Sequence, residues 1–243
     1  MNLLLDLGNT RLKWGLHDGR IWHGRGACDY DDLAALSSRL AGSAAPVRAI
    51  GTNVAGPAAA EAVAAVLPEG LPLHWNRPAR LQCGVRNGYL DEAQLGADRW
   101  AALIGARLVH PGAALVVMAG TATTVDLLTA DGDFLGGLIL PGLALMRRSL
   151  ARDTADLPFA DGAFDAFPRR TEDAIVSGCL EAQAGAIERM FVRLTAEHDA
   201  LCLLGGGAAA AIAPHLSIPL RQVDNLVLDG LAQIAAERAN ITP

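Results

Sequence analysis

The sequence predicts an α/β fold in which one β-β-β unit occurs twice, each copy followed by helices and further strands. Three observations carry this. Short apolar or alternating runs joined by glycine turns open the chain, and the same pattern restarts near its middle. Placing Gly8 on Gly120 brings the turn Asp18-Gly19 to within one residue of Asp131-Gly132. With 243 residues, 51% of them hydrophobic, the chain is long enough to build its cores without disulfide or metal staples.

The elements follow in order. Residues 2–7 form an apolar strand, 11–17 alternate, and 20–24 follow a hairpin-type turn at Asp18-Gly19. A helix over 31–40, a strand 47–52, a helix 58–67 and a strand 71–75 come next. The stretch 76–94 is irregular, rich in Gly, Asn, Arg and Pro, and a helix over 97–109 stops at His110-Pro111-Gly112. Strands at 114–119, 122–129 and 134–140 turn at Gly120-Thr121 and Asp131-Gly132. The remainder reads as helical with one exception. A long helix over 171–197 takes Thr171 as its N-cap, a short buried strand 200–204 runs into Gly205-Gly206-Gly207, and Asn225 caps a last helix ending near Asn240. A hinge near His110–Gly112 divides the chain into halves 1–111 and 112–243.

Composition removes several function classes. A formal charge of −6 argues against nucleic acid or an anionic membrane as the main partner. Asp6 cuts the apolar start, so it is no signal-peptide core, and no charge-free run approaches the roughly 18 residues of a membrane span. Cys28, Cys83, Cys179 and Cys202 lie far apart with no Cys-x-x-Cys pair, and are expected to be reduced thiols in the cytoplasm. The six histidines show no i,i+4 pair, so no transition-metal site is expected. One count stands out. The 20 basic residues are 19 arginines and a single lysine, Lys13. Where composition has replaced nearly every lysine, the survivor marks a place where a guanidinium is a poor substitute for a compact ammonium.

Four segments can carry chemistry. In Asp6-Leu7-Gly8-Asn9-Thr10-Arg11-Leu12-Lys13, a glycine turn lets backbone N–H groups approach a phosphate while Asn9 and Thr10 add donors. Asp6 at the strand end can hold a hydrated Mg²⁺, and Lys13 can reach the same space; an ordinary hairpin with Asp and Asn in its turn explains the residues equally well. Gly120-Thr121-Ala122-Thr123-Thr124 sits at the matching turn of the second half, where small hydroxyl residues suit either a second phosphate clamp or plain β-propensity. Gly205-Gly206-Gly207 opens a strand–helix turn that admits a flat base or a phosphate, a feature common in α/β proteins. Gly96-Ala97-Asp98-Arg99 starts a helix with a carboxylate beside a guanidinium. That pair suits deprotonating a hydroxyl on an anionic substrate, or, more plainly, capping by Asp98 with Arg99 at the surface.

Taken together and in order, Asp6-x-Gly8-Asn9-Thr10-x-x-Lys13, Gly96-Ala97-Asp98-Arg99, Gly120-Thr121-Ala122-Thr123-Thr124 and Gly136-Gly137-x-x-x-Pro141-Gly142 resemble the type III pantothenate kinases of the actin/hexokinase-like phosphotransferases. The resemblance implies two RNase-H-like halves, each a mixed β-sheet flanked by helices, with the nucleotide between them. It implies ATP-dependent phosphorylation of pantothenate with Mg²⁺. It makes Asp6 the carboxylate that positions Mg²⁺ and Gly8 to Lys13 the first phosphate loop. Asp98 becomes the general base, Arg99 the holder of the pantothenate carboxylate, and Gly96 and Ala97 backbone contributors. Tyr89 lines the substrate, Thr121 contacts a nucleotide phosphate, the Gly205–Gly207 turn faces the adenosine, and Thr171 contacts pantothenate across a homodimer interface.

One departure is visible. Many relatives carry Asp where this chain has Met118, and that Asp binds K⁺ or NH₄⁺. A thioether is a poor ligand for a hard cation, so a monovalent-cation site is expected to be weakened or absent. Two rivals stand beside the kinase reading: a non-catalytic regulator on the same fold acting as an accessory factor in transcription, and a sibling kinase of a sugar or carboxylate. The intact set Asp6, Lys13, Asp98 and Arg99 favours catalysis.

Overall fold

The structure, a computed structural model, describes residues 1–42, 45–159, 161–194, 196 and 198–241. The chain runs β1 (Asn2–Leu7), β2 (Arg11–His17), β3 (Trp22–Asp29), α1 (Ala34–Ala41), β4 (Arg48–Asn53), α2 (Pro57–Val66), β5 (Leu73–Trp75), β6 (Leu81–Gln82), β7 (Val85–Asn87) and α3 (Ala97–Val109). It continues with β8 (Ala114–Ala119), β9 (Ala122–Leu128), β10 (Asp133–Pro141), α4 (Leu143–Asp153), α5 (Thr171–Phe191), β11 (Leu201–Gly205), α6 (Ala209–Ile212), β12 (Leu220–Gln222) and α7 (Leu226–Ile241).

These elements form two compact units, one of Met1–Val109, Gly132–Phe134 and Asn225–Pro243, the other of His110–Asp131 and Leu135–Asp224. The last helix therefore belongs with the first unit, which corrects a division at 111/112. Gly105 and Gly230 explain it. A Cβ on Gly105 would meet the Leu226 carbonyl, and one on Gly230 the Ala101 carbonyl, so α3 and α7 cross at backbone contact.

In the first unit the strand order is β3-β2-β1-β4-β5, with β1 antiparallel to β2 and parallel to β4, and β4 parallel to β5. In the second it is β10-β9-β8-β11-β12, with β8 antiparallel to β9 and parallel to β11, and β11 parallel to β12. The two orders are the same sequence of connections, so the β-β-β pattern marks a duplicated topology. One face of the first sheet carries Leu3, Leu5, Leu7, Leu12, Trp14, Leu16 and Ala49, packed with residues of α1 and α2. Helices α3 and α7 cover the other face. In the second unit Leu115, Val117, Val125, Cys202 and Leu204 pack with Ile187, Met190 and Phe191 of α5.

Several boundaries differ from expectation. Strand β3 runs through Asp29 rather than stopping at Gly24, and Gly26 within it leaves room for the Trp14 ring, which a Cβ would approach to 3.0 Å. Arg170, not Thr171, is the N-cap of α5, and Thr171 is its first helical residue. The helix ends at Phe191 in a 3-10 turn over Val192–Leu194, and the expected end, Glu197, lies outside the described residues. Asn225 does cap α7, its side chain accepting from Leu228 N at 3.3 Å. Strands β6, β7 and β12, of two or three residues each, were not anticipated.

Candidate active site

Asp6 is the second-last residue of β1, and the ladders place Lys13 opposite it on β2 and Thr52 opposite it on β4. Because paired residues share a face, the three point away from the Leu3–Leu5–Leu7 core, toward the face covered by α3 and α7. The Thr52 hydroxyl donates to Asp6 Oδ1 at 3.2 Å, and Lys13 Nζ stands 3.9 Å from Oδ2. Asp6 is only 6% exposed. Burial pushes its carboxyl up to about 6; Lys13 and the Thr52 hydrogen bond oppose the rise and nearby Asp98 adds to it. One ammonium near 4 Å does not offset the desolvation of this carboxylate.

Asp98 and Arg99 lie in the first turn of α3. The Asp98 side chain folds back so that Oδ1 accepts from Arg99 N at 2.8 Å. A Cβ on Gly96 would stand 2.7 Å from that oxygen, which explains a glycine there better than any backbone preference. Arg99 is 4% exposed, so a surface arginine is excluded. Its Nη1 donates to the Tyr89 hydroxyl at 2.9 Å, and its guanidinium carbon lies 5.6 Å from the Tyr89 ring centre and 5.9 Å from that of Phe134. The two rings are 5.4 Å apart. Tyr89 is held by Asn87, whose buried Oδ1 accepts from Tyr89 N at 3.0 Å, and Phe134 pairs with Asn87 where β10 meets β7. An aromatic wall thus holds one buried guanidinium, a suitable hold for a small anionic acceptor.

The phosphate-loop segment divides by burial. Leu7 and Leu12 are fully buried in the core, so they can offer a ligand only backbone groups. Gly8 is half-buried, with its carbonyl taking the Tyr30 hydroxyl at 2.7 Å, while Asn9, Thr10 and Arg11 are exposed at the turn. Thr52, Tyr30 and Phe134 were not singled out in the sequence. Thr52 alone left a signal, as a polar residue closing an apolar strand.

The second unit holds the remaining candidates. Thr121 is exposed at the β8–β9 turn, and Thr171 is exposed at the start of α5. Thr123 and Thr124 are buried, and their hydroxyls have no hydrogen-bond partner among the described residues. Gly206 takes φ +98° at the turn after β11, where a side chain would strike Ala119. Met118 occupies the position equivalent to Asp6, two residues before the turn glycine. It pairs with Thr124 on β9 and Gly205 on β11, and its Sδ lies 3.2 Å from where a Gly205 Cβ would stand. The Lys13–Asp6–Thr52 row of the first unit has become Thr124–Met118–Gly205 in the second.

No group of three His, Cys, Asp or Glu among the described residues forms a metal cage. None of the described helices is long and apolar enough to cross a membrane.

A family model described as type III pantothenate kinase matches residues 2–193. A type III pantothenate kinase of Aromatoleum aromaticum is 55% identical over 240 residues, covering 98% of this chain and 99% of that protein. Among solved structures, one described as a Baf family transcriptional activator from Campylobacter jejuni aligns over 98% of this chain and 99% of its own, with TM-score 0.65 and 21% identity. An activator of 2-hydroxyisocaproyl-CoA dehydratase from Clostridium difficile, with bound ADPNP, aligns over 100% and 97%, with TM-score 0.59 and 12% identity. At such identities the structural likenesses establish the fold, that of the actin/hexokinase-like ATPases, with two mixed sheets flanked by helices.

Proposed function

The chain belongs to the type III pantothenate kinase family, which makes it an ATP-dependent kinase of pantothenate, and we propose that the Asp6–Lys13–Asp98–Arg99 group is where the phosphoryl transfer takes place. The observation that supports it most is Asp98 at the first turn of α3, near enough to a buried Asp6 to raise its pKa, with Arg99 sequestered beside it.

Arg99 takes the pantothenate carboxylate against the Tyr89–Phe134 wall. Asp98 keeps Oδ1 on the Arg99 amide and turns its other oxygen to the primary hydroxyl. As that hydroxyl oxygen attacks the γ-phosphorus in line, its proton passes to Asp98, the new O–P bond forms, and the bond to ADP breaks, giving 4′-phosphopantothenate, the first step toward coenzyme A. Lys13 contributes a point charge to the β- and γ-phosphates, and backbone N–H groups of Gly8 to Leu12 line the phosphate loop. In the second unit Thr121 contacts a nucleotide phosphate, the Gly205–Gly207 turn the adenosine, and Thr171 the pantothenate held by the other copy of a homodimer.

Mg²⁺ fits this chemistry. Asp6 is a buried carboxylate close enough to Asp98 for the two to repel, and Mg²⁺ is usually held by one or two carboxylates plus substrate phosphates rather than by an all-protein cage. Asp6 would hold it, and it would supply neutralisation of phosphate charge. A monovalent-cation site is weakened by Met118, and the enzyme works in the cytoplasm.

A coupled ADP-release assay with pantothenate, several sugars and acetate tests the reading. Turnover restricted to pantothenate supports it. ADP release with a sugar or acetate and none with pantothenate makes the chain a sibling kinase, and no ADP release with any acceptor makes it a non-catalytic regulator.

A further inference from the structure

The polar row of the first sheet has a fourth member. Strand β5 follows β4 in parallel, with Gly51 opposite Trp75, and Asn76 continues that register by donating its backbone N–H to the Gly51 carbonyl at 2.7 Å. Asn76 therefore stands beside Thr52 as Thr52 stands beside Asp6, on the face covered by α3. It is 2% exposed, and its Nδ2 has no hydrogen-bond partner among the described residues.

The orientation of its carboxamide is fixed by neighbours. The Trp100 indole can only donate, and it donates to Gln82 Oε1 at 2.8 Å. Gln82 must then present its amide nitrogen to Asn76, and Nε2 lies 3.5 Å from Asn76 Oδ1. Flipping Asn76 would set two NH₂ groups against each other. The orphan is therefore a donor, at the carboxyl ends of the strands that carry Asp6 and Thr52, and tied through Gln82 to the residue that follows Arg99. A buried, unpaired amide N–H carries a desolvation cost that native proteins seldom leave uncompensated.

The geometry points to Asn76 as a substrate-binding residue whose Nδ2 donates to the amide carbonyl of bound pantothenate. This rests on the pantothenate kinase reading. With Oδ1 turned to Gln82, Asn76 offers donors alone, and a hydroxyl, carbonyl or carboxylate oxygen can accept from them. On the pantothenate kinase reading Asp98 and Arg99 take the primary hydroxyl and the carboxylate, which leaves the amide carbonyl between them as the strongest acceptor for Asn76. Asn76 thereby adds recognition of the middle of the substrate to that of its two ends by Asp98 and Arg99.

The test is Asn76→Leu, an isosteric apolar replacement, with Asn76→Ala as its partner, read by steady-state kinetics and thermal melting. The expected result is a KM for pantothenate raised about tenfold or more and a KM for ATP within twofold of the parent, in variants that still melt cooperatively. A pantothenate KM within twofold of the parent in either folded variant overturns the proposal, as does an equal rise in both KM values. Failure of both variants to fold would also overturn it, by making Asn76 a structural residue. Absence of pantothenate turnover by the parent protein would instead strike the underlying reading.

Discussion

Lys13 stands directly across the β1–β2 ladder from Asp6, with its ammonium 3.9 Å from a carboxylate that is 6% exposed. The only lysine among 20 basic residues is thus opposite the one buried carboxylate of the first sheet's polar row. A compact ammonium can serve that carboxylate and a phosphate together, whereas a planar guanidinium is larger and spreads its charge over a fork.

Lys13→Arg should accordingly lower kcat about tenfold or more while leaving the melting temperature nearly unchanged, since the side chain is partly exposed. Steady-state kinetics with varied ATP checks this. Normal kcat and a normal KM for ATP would reduce the lone lysine to an accident of composition.

Asp6 should oppose folding at the pH where it works. Burial raises its pKa from 3.8 to about 6, so the native state binds the proton more tightly than the unfolded chain. The sign follows: the protonated carboxyl favours the fold at low pH, and that contribution is lost as pH rises from near 4 through about 6. Above that range Asp6→Asn should be more stable than the parent by on the order of 1–3 kcal/mol, yet inactive. The difference in melting temperature should shrink as pH is lowered from about 8 to about 5. A variant less stable than the parent at the higher pH would contradict the electrostatic account of Asp6.

Much of this was legible in the sequence, for identifiable reasons. Strands β1, β2 and β8 and helix α3 have the expected bounds because each is an apolar run, an alternating run or a helical periodicity that ends at a turn signal. Strand β3 extends beyond the expected end at Gly24, and Gly26 beyond it lies against the Trp14 ring, a packing role that no local pattern reveals. The placement of α7 depends on a glycine crossing with α3 more than a hundred residues away in sequence, which no local pattern reveals. In the candidate site, the motif residues Asp6, Lys13, Asp98 and Arg99 were visible, and burial of Arg99 removes the alternative of a surface arginine. Thr52, Phe134 and Asn76 reach the site only through strand register, so they left almost no sequence signal.

Met118 should leave the enzyme indifferent to monovalent cations. Its thioether takes the position equivalent to Asp6 and lies against Gly205, beside the unpartnered Thr124 hydroxyl. Activity with K⁺ or NH₄⁺ should stay within about twofold of that with Tris as the cation, because sulfur is a poor donor to a hard ion. Met118→Asp should make activity cation-dependent. Strong stimulation of the parent enzyme by K⁺ would contradict this.

The central claim is that Asp98 is the base for the acceptor hydroxyl, and Asp98→Asn tests it most directly. The amide keeps an oxygen for the Arg99 N–H while removing the group that takes the proton. Binding and turnover measured on the same preparation should show kcat reduced by about 10²-fold or more, with the dissociation constant for ATP changed less than about threefold. Equal losses in kcat and ATP affinity, or a kcat close to the parent's, would contradict it.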